Sequence, residues 1–325
     1  MANMLEQVSN DLAAAVERAG ASLVRVDARR RFPASGIVWS SDGVIVTAHH
    51  VIKREEGITI GLADGRVVAA ALVARDPSTD VAVLRAEASD LTPPAWADDA
   101  ALRVGQLALA VGRPDKSLQA SLGVISVLEG AWRSPAGGQI ERYVQSDLTM
   151  YPGFSGGALV NAAGEMIGMN TSALLRGASL TIPAATLRRV VESLLSHGRV
   201  RRGYLGIGSQ PVRLPDALAN ELGQETGLLL VSVEPDSPAG RAGLLLGDTI
   251  VGLAGERVRH LDDLQALLGG DRVGQTVTVR FVRGGSVEER EITIGERTEE
   301  PREHRRGGHH GGGGPHGGWG PRGGR

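Results

Sequence analysis

Hydrophobic and polar residues alternate in two different ways along this chain, and the change marks its first structural boundary. An apolar stripe at helical spacing predicts a helix over about residues 4–19, which Gly20 ends. Beyond it, to about residue 182, apolar residues come in short runs separated by Gly, Pro and Asp, as in β-strands joined by turns. The runs are Leu23–Val26, Gly36–Trp39, Val44–Thr47, Val81–Arg85, Leu107–Val111, Gly123–Val127, Ala158–Asn161 and Met166–Asn170.

The pattern changes again near residue 184. Residues 184–197 predict an amphipathic helix, and a linker follows at residues 198–203. Residues 204–296 then mix strand-like with helix-like segments, which indicates a second domain.

Residues 297–325 form a low-complexity tail with 11 glycines and the histidines His304, His309, His310 and His316. The tail has too few apolar residues to offset the entropy of ordering it, so disorder is expected. Histidine-rich tracts can bind metal, but a solvated tail with incidental histidines is the favoured interpretation. No metal site and no cofactor are predicted.

A serine flanked by glycines, Gly153-Phe154-Ser155-Gly156-Gly157, is the most informative local feature. Glycines allow a tight turn and leave backbone N–H groups free to point at a developing oxyanion. The pattern alone is weak, because glycine-rich turns that contain a serine are common in a chain with 46 glycines. Its interpretation depends on the residues that accompany it.

Chain order separates two enzyme classes that place a serine in such a frame. In an α/β-hydrolase the acid and the histidine follow the serine, whereas here two short strands follow it, without a helix. Upstream, an apolar strand over residues 44–52 ends in histidine, and an aspartate stands before another apolar strand in residues 76–84. The order His, Asp, Ser is that of the chymotrypsin architecture.

These residues resemble the trypsin-like serine proteases of the HtrA (Deg) family over roughly residues 7–296. The motifs are Thr47–Val51, Asp76–Leu84, Gln145–Asp147, Pro152–Gly157, Gly168–Thr171, Ile182–Pro183 and Arg202–Ile207. The resemblance implies a mainly β fold with a chymotrypsin-like double barrel of six antiparallel strands each, followed by an α+β PDZ domain. The expected domains are a protease domain over residues 1–200, a PDZ domain over 203–296 and the disordered tail over 297–325.

The family pattern assigns His50 as the general base and leaves the adjacent His49 as a bystander. Asp80 opens a buried strand and is favoured as the residue that orients the imidazole, whereas Asp76 precedes a proline in a turn. Ser155 is the expected nucleophile, activated when His50 removes its proton. The N–H groups of Gly153 and Ser155 are expected to form the oxyanion hole.

One position departs from the family. The residue before the nucleophile is usually asparagine in HtrA proteases, and aspartate in zymogen-activated relatives, where it pairs with a freed N-terminus. Phe154 can form neither an ion pair nor a side-chain hydrogen bond, so packing or neighbouring loops must set the oxyanion loop. Thr149 and Met150 contribute to the primary specificity pocket in this fold, and their uncharged side chains predict a preference for small or medium aliphatic residues.

The PDZ-like region adds a binding function. Tyr204, Leu205, Gly206 and Ile207 match the loop whose amides grip a peptide C-terminus while the peptide adds a strand to the sheet. A domain that only docks against the protease is the alternative. HtrA relatives commonly form trimers through the protease domain, so a homotrimer is a possible assembly.

Composition bears on three further questions, which are nucleic-acid binding, membrane insertion and cellular location. The chain has 325 residues, 42% of them hydrophobic, and its net charge of −2 argues against a nucleic-acid partner. No stretch approaches the roughly 20 apolar residues of a membrane span. The polar, acidic first residues do not read as a signal peptide, so a cytoplasmic location is expected, with an extracytoplasmic one as the alternative.

The resemblance therefore implies an ATP-independent endopeptidase that acts on unfolded or damaged proteins. A non-proteolytic chaperone or peptide-binding scaffold on the same fold is the alternative function.

Overall fold

The computed structural model describes residues 3–175 and 177–297. Its mainly β architecture, with two closed barrels and a smaller α+β domain, confirms the predicted fold class. The predicted disordered tail lies outside the described residues, except for Arg297.

The chain begins with helix α1 (Met4–Gly20), whose first turn is capped by the side chain of Asn3. Ala15 and Ala19 are buried, but only the second half of the predicted apolar stripe packs against the core. Leu5 is 75% exposed and Val8 is 43% exposed. The first two turns of α1 therefore present an apolar face to the surroundings.

Six antiparallel strands close the first barrel, in the order β1-β2-β3-β6-β5-β4. They are β1 (Leu23–Asp27), β2 (Ala34–Val38), β3 (Val44–Ala48), β4 (Ile58–Gly61), β5 (Val67–Asp76) and β6 (Val81–Ala86). Strand β3 ends at Ala48, earlier than the predicted strand over residues 44–52, and His49–Val51 form a 3₁₀ turn. The strand ends there because the next backbone N–H groups, of His49 and His50, bond to Asp80 instead of a neighbouring strand.

The second barrel closes in the same way, in the order β11-β14-β13-β12-β7-β8. Its strands are β7 (Leu107–Gly112), β8 (Gln119–Glu129), β11 (Tyr143–Ser146), β12 (Ala158–Asn161), β13 (Met166–Thr171) and β14 (Ser179–Pro183). A small hairpin, β9 (Trp132–Arg133) and β10 (Gln139–Ile140), lies between β8 and β11.

Helix α2 (Ala184–His197) follows the second barrel, as the amphipathic pattern predicts. The apolar residues buried in its interior turns are Leu187, Val190, Val191 and Leu194. Gly198 ends the helix in the left-handed conformation, with φ of 70°, which glycine adopts without a steric penalty.

In its described residues, the C-terminal domain combines a main sheet, a two-stranded sheet and three short α-helices. Its main sheet has the order β16-β17-β18-β20-β21, with β19 added to β18. Its elements are β15 (Gly203–Tyr204), β16 (Ile207–Arg213), α3 (Asp216–Leu222), β17 (Thr226–Val233), α4 (Pro238–Arg241), β18 (Thr249–Leu253), β19 (Glu256–Arg257), α5 (Leu261–Leu267), β20 (Thr276–Arg283), β21 (Ser286–Thr293) and β22 (Gly295–Glu296). Strands β15 and β22 pair with each other, which brings the two ends of the domain together.

Candidate active site

His50 and Asp80 face each other at one end of the first barrel. The Nδ1 atom of His50 lies 2.8 Å from Oδ2 of Asp80, and the backbone N–H of His50 donates to Oδ1 of Asp80 at 2.8 Å. Asp80 is buried, whereas the imidazole is 25% exposed. Both carboxylate oxygens thus hold His50, so the orientation of the ring is fixed while Nε2 remains available for chemistry.

Asp80 adopts an unusual backbone conformation, with a positive φ of 58°. This left-handed conformation is uncommon for a residue with a side chain. A turn just before β6 supports it, in which the carboxylate of Asp76 accepts hydrogen bonds from the backbone and hydroxyl groups of Ser78 and Thr79. Asp76 therefore stabilises the turn that presents Asp80. Its position in a turn is the one predicted from the proline that follows it.

Thr171, at the end of β13, adds a further contact to Asp80. Its hydroxyl donates to Oδ2 of Asp80, the same oxygen that faces the ring of His50. Sequence reasoning includes Thr171 in a family motif but does not identify it as a site residue. The contact joins the second barrel to the His50–Asp80 pair on the first.

Ser155 lies in the loop between β11 and β12, and its hydroxyl contacts Ser172. The two Oγ atoms are 3.2 Å apart. Among the residues that the structure describes, no hydrogen bond joins the Ser155 hydroxyl to His50. Ser172 directly follows Thr171, so the nucleophile is connected to the His50–Asp80 pair through adjacent residues of one segment. Nothing in the sequence distinguishes Ser172 from other exposed serines.

The loop before Ser155 contains a tight turn over residues 151–154, closed by a 3.0 Å hydrogen bond from Phe154 N–H to the Tyr151 carbonyl. Pro152 occupies its second position, and Gly153 its third position with φ of 92°. Proline followed by a residue with positive φ defines a type II turn. In the described part of the chain, the N–H groups of Gly153 and Ser155 donate to no acceptor. Both are therefore free to bind an oxyanion.

Phe154 is completely buried beneath this turn. It packs in the core of the second barrel and meets the ring of Tyr151 edge to face, with centroids 5.5 Å apart. A Cβ added to Gly112 would lie 3.0 Å from the Phe154 ring, so the fit is tight. The sequence left packing and neighbouring loops as the two ways to hold this segment. The position of Phe154 itself is set by apolar packing.

His49 lies next to His50 in the 3₁₀ turn that follows β3. It is half-buried, and its Nδ1 atom is buried without a hydrogen-bond partner among the described residues. Burial lowers the pKa of His49 below its ordinary value, against the opposing effect of the Asp80 charge. Among the described residues, no hydrogen bond joins the side chain of His49 to Ser155.

The two residues predicted for the specificity pocket have different surroundings. Met150 is half-buried and packs against the core of the second barrel, whereas Thr149 is exposed. The carbonyl of Thr149 accepts a 2.7 Å hydrogen bond from the hydroxyl of Ser121. The apolar preference predicted for this pocket stays a prediction.

In the C-terminal domain, residues 204–207 form a loop whose carbonyl groups accept hydrogen bonds from the segment around α4. The carbonyl of Leu205 accepts from Ala239 N–H, and that of Gly206 from Glu234 N–H, each at 2.9 Å. Gly206 has φ of 77°, and a Cβ there would lie 2.0 Å from Cβ of Ser237. The loop therefore requires glycine at this position. The Tyr204 hydroxyl donates to Glu234, which raises the pKa of Tyr204.

A cleft of about 1070 Å³ opens beside this loop, between the two domains. The loop, strand β16 and helix α5 form one wall, and the β9–β10 hairpin and the Asp76 turn form the other. Arg202 crosses between the walls, with Nη2 3.3 Å from Oδ1 of Asp76 and in contact with the Ser78 hydroxyl. The start of the C-terminal domain thus touches the turn that presents Asp80.

Two family models match separate parts of this chain. A family model described as a trypsin-like peptidase domain matches residues 34–169, and one described as a PDZ domain matches residues 203–294. The first match includes His50, Asp80 and Ser155. The second includes the loop at Tyr204–Ile207.

Curated relatives and solved structures point to one family. A periplasmic serine endoprotease described as DegP-like from Halomonas elongata is 34% identical over 82% of this chain. A solved HtrA-type protease, AlgW with a decapeptide, has a TM-score of 0.75 at 28% identity, covering 89% of this chain and 99% of that one. The serine endoprotease from Yersinia pestis has a TM-score of 0.72 at 31% identity, covering 88% and 98%.

The chain spans 57% of the length of the Halomonas relative, and similar shares of other curated relatives. Several of these are named periplasmic, among them the Haemophilus influenzae protein, which is 34% identical to this chain. The expectation of a cytoplasmic location is therefore wrong, because it rested only on the polar character of the first residues. Of the helices that the described residues form, none has both the length and the apolar character needed to cross a bilayer.

Proposed function

We infer that this chain, which belongs to the HtrA family of trypsin-like serine proteases, is an endopeptidase that degrades unfolded or damaged proteins. The observation that carries this proposal is the fixed His50–Asp80 pair close to a serine whose loop leaves two N–H groups free. A protein that only binds peptides has no need of these three features together. We assign His50, Asp80 and Ser155 as the catalytic residues.

In the proposed mechanism His50 acts as the base through its free Nε2. The Ser155 hydroxyl leaves Ser172 and turns to His50, which takes its proton as the oxygen attacks the peptide carbonyl. Asp80 accepts the Nδ1 hydrogen bond throughout, so it holds the ring in one tautomer and stabilises the imidazolium. Thr171 keeps the carboxylate of Asp80 oriented during these steps.

The N–H groups of Gly153 and Ser155 would receive the oxyanion of the tetrahedral intermediate. Loss of one such donor typically costs on the order of 10²–10³ in rate, so the turn at residues 151–154 matters about as much as the side chains. His50 then returns its proton to the leaving amine, and water hydrolyses the acyl-enzyme by the same steps.

Substrate selection has two proposed components. Thr149 and Met150 would border a pocket for small or medium aliphatic side chains, since neither offers a charge to a basic residue. The loop Tyr204–Ile207 would bind peptide C-termini, and the peptide would add a strand along β16 within the cleft. Solved HtrA-type structures that contain peptides support peptide binding in this family.

We place the protein outside the cytoplasm, as the names of the periplasmic relatives suggest. We also propose a homotrimer assembled through the protease domain, to which the exposed face of α1 at Leu5 and Val8 would contribute. Light scattering coupled to size-exclusion chromatography tests the assembly, since Leu5→Glu should lower the measured mass.

The central test is degradation of casein by the purified protein, compared with Ser155→Ala. We expect cleavage by the wild type and none above background in the variant, because the substitution removes the nucleophilic oxygen. Circular dichroism and melting should be unchanged in Ser155→Ala. A folded wild type that binds peptides and prevents aggregation but leaves casein intact would identify the non-proteolytic scaffold instead.

A further inference from the structure

Ser35, on strand β2, makes four hydrogen bonds around the oxyanion turn while completely buried. Its hydroxyl donates to the Gly153 carbonyl at 2.7 Å and accepts from Arg113 N–H at 2.8 Å. Its backbone N–H donates to the Ser155 carbonyl at 3.2 Å, and its carbonyl accepts from the Thr47 hydroxyl at 2.7 Å. We propose that Ser35, anchored to the end of helix α1 through Arg113, is the positioning residue of the oxyanion turn.

Two peptide planes of the turn are held by Ser35. The plane between Gly153 and Phe154 is held at both ends, by Ser35 at its carbonyl and by Tyr151 at its N–H. The plane between Ser155 and Gly156 is also held at both ends, by Ser35 N–H and by the Asn170 carbonyl. Ser35 therefore holds a carbonyl on each of two alternate planes.

The planes that supply the oxyanion donors lie next to these fixed planes. The Gly153 N–H lies in the peptide plane between Pro152 and Gly153. The Ser155 N–H lies in the plane between Phe154 and Ser155. Type I and type II turns differ by rotation of their central peptide plane, which here carries the Gly153 N–H. Because the Gly153 carbonyl is bound to Ser35, the Gly153–Phe154 plane is held, and the Gly153 N–H can change direction only by a coupled rotation of ψ at Pro152 and φ at Gly153.

Ser35 is itself held from the other side by Arg113. The guanidinium of Arg113 is buried and donates to three backbone carbonyls, of Leu23 at 2.8 Å, Lys116 at 3.0 Å and Gly20 at 3.0 Å. Gly20 ends α1, and a cation is stabilised near the C-terminus of a helix. Burial lowers the pKa of Arg113, in keeping with a charge enclosed by protein.

The same network explains how the turn is held without a charge next to the nucleophile. The buried ring of Phe154 packs beneath the loop, but it cannot form hydrogen bonds that orient the peptide groups. Pro114, next to Arg113, closes the other side, since a Cβ on Gly153 would lie 2.4 Å from Cβ of Pro114. The directional contacts of the Gly153 carbonyl come from Ser35, and the position of Arg113 is fixed by the end of α1.

The test rests on the proposed peptidase activity and uses the full chain with a short chromogenic peptide. Ser35→Ala should lower kcat by about 10²–10³, the cost of losing an oxyanion donor, with KM changed less than about threefold. A peptide boronic acid, which forms a tetrahedral adduct with Ser155, should bind more weakly by a similar factor. Ser126→Ala, which also removes one hydroxyl-to-carbonyl bond in the protease domain, should keep kcat within about twofold.

A second variant keeps the inference open to refutation if Ser35→Ala fails to fold. Arg113→Met should lower kcat at least about fivefold at unchanged KM, while Arg18→Met, on the same helix as Gly20, should not. A folded Ser35→Ala or Arg113→Met variant with wild-type kcat would overturn the proposal. Inactivity of the wild type would instead refute the proposed peptidase function, so the two failures are distinguishable.

Discussion

The hydroxyl of Ser155 is bound to the hydroxyl of Ser172, 3.2 Å away, and not to His50. The resting nucleophile must leave this partner before His50 can take its proton. A net hydrogen bond is worth about 0.5–1.5 kcal/mol, and 1.4 kcal/mol is a tenfold change. Ser172→Ala should therefore raise kcat/KM for a short peptide by about two- to tenfold.

Steady-state kinetics of Ser172→Ala and Ser172→Thr give the measurement and its control, because threonine retains the hydroxyl. We expect only the alanine variant to be faster. A slower Ser172→Ala enzyme would show instead that this hydroxyl assists the reaction.

His49 predicts a pH dependence of stability rather than of catalysis. Burial, with smaller effects of the positive charges of Arg75 and Lys53, lowers its pKa below 6.5, against the opposing charge of Asp80. As pH falls through 6.5, the unfolded chain binds a proton at this position before the folded chain does, so the folded state loses stability.

Replacing His49 by Gln removes this titration. The free energy of unfolding, measured with urea, should fall less between pH 7.5 and pH 5 in His49→Gln than in the wild type. The kcat of the variant should remain substantial, since His49 is not one of the proposed catalytic residues. Equal loss of stability in both proteins would contradict the lowered pKa of His49 in the folded state.

Phe154 links the stability of the second barrel to the geometry of the turn. Truncation of a completely buried phenylalanine to alanine costs about 3–5 kcal/mol. Phe154→Ala should therefore lower the free energy of unfolding by this amount. It should also lower kcat, with a smaller change in KM. Phe154→Leu, which retains more of the apolar volume, should lose less of both quantities, as measured by urea unfolding and peptide kinetics. A Phe154→Ala variant with full stability would mean that the core closes around the missing ring.

Arg202 predicts communication between the domains. Its contacts with Asp76 and Ser78 reach the turn that presents Asp80. In the full chain, Arg202→Gln should change the stimulation of peptide hydrolysis by a hydrophobic C-terminal peptide at least about threefold. Arg199→Gln, which removes a neighbouring ion pair with Glu296, provides the control. Equal stimulation in the wild type and both variants would exclude this route.

Much of the site follows from local sequence patterns. His50, Asp80 and Ser155 each stand at a strand end or turn with a recognisable composition, and their order along the chain selects the architecture. The double barrel and the C-terminal α+β domain were expected from the resemblance to the HtrA family, and the spacing of the apolar runs is compatible with both.

The residues that hold this site were not predictable, because their contacts are distant along the chain. Ser35 and Gly153 are 118 residues apart, and Thr171 and Asp80 are 91 apart. A serine that begins no motif and carries no charge leaves no local signal of such a contact. The location was mistaken for a different reason, because the composition of the first residues does not determine the compartment.

The contact of Arg202 with the Asp76 turn has a thermodynamic consequence. Coupling between two binding sites is reciprocal, so if this contact couples them, a peptide at the proposed Tyr204–Ile207 site and an inhibitor at Ser155 change each other's affinity by the same factor. A boronic acid that occupies the active site would then alter the affinity of the cleft for C-terminal peptides without touching it. The protease domain would in this way act as a sensor of its own occupancy, reporting a filled active site to the domain for which we propose C-terminal peptide binding.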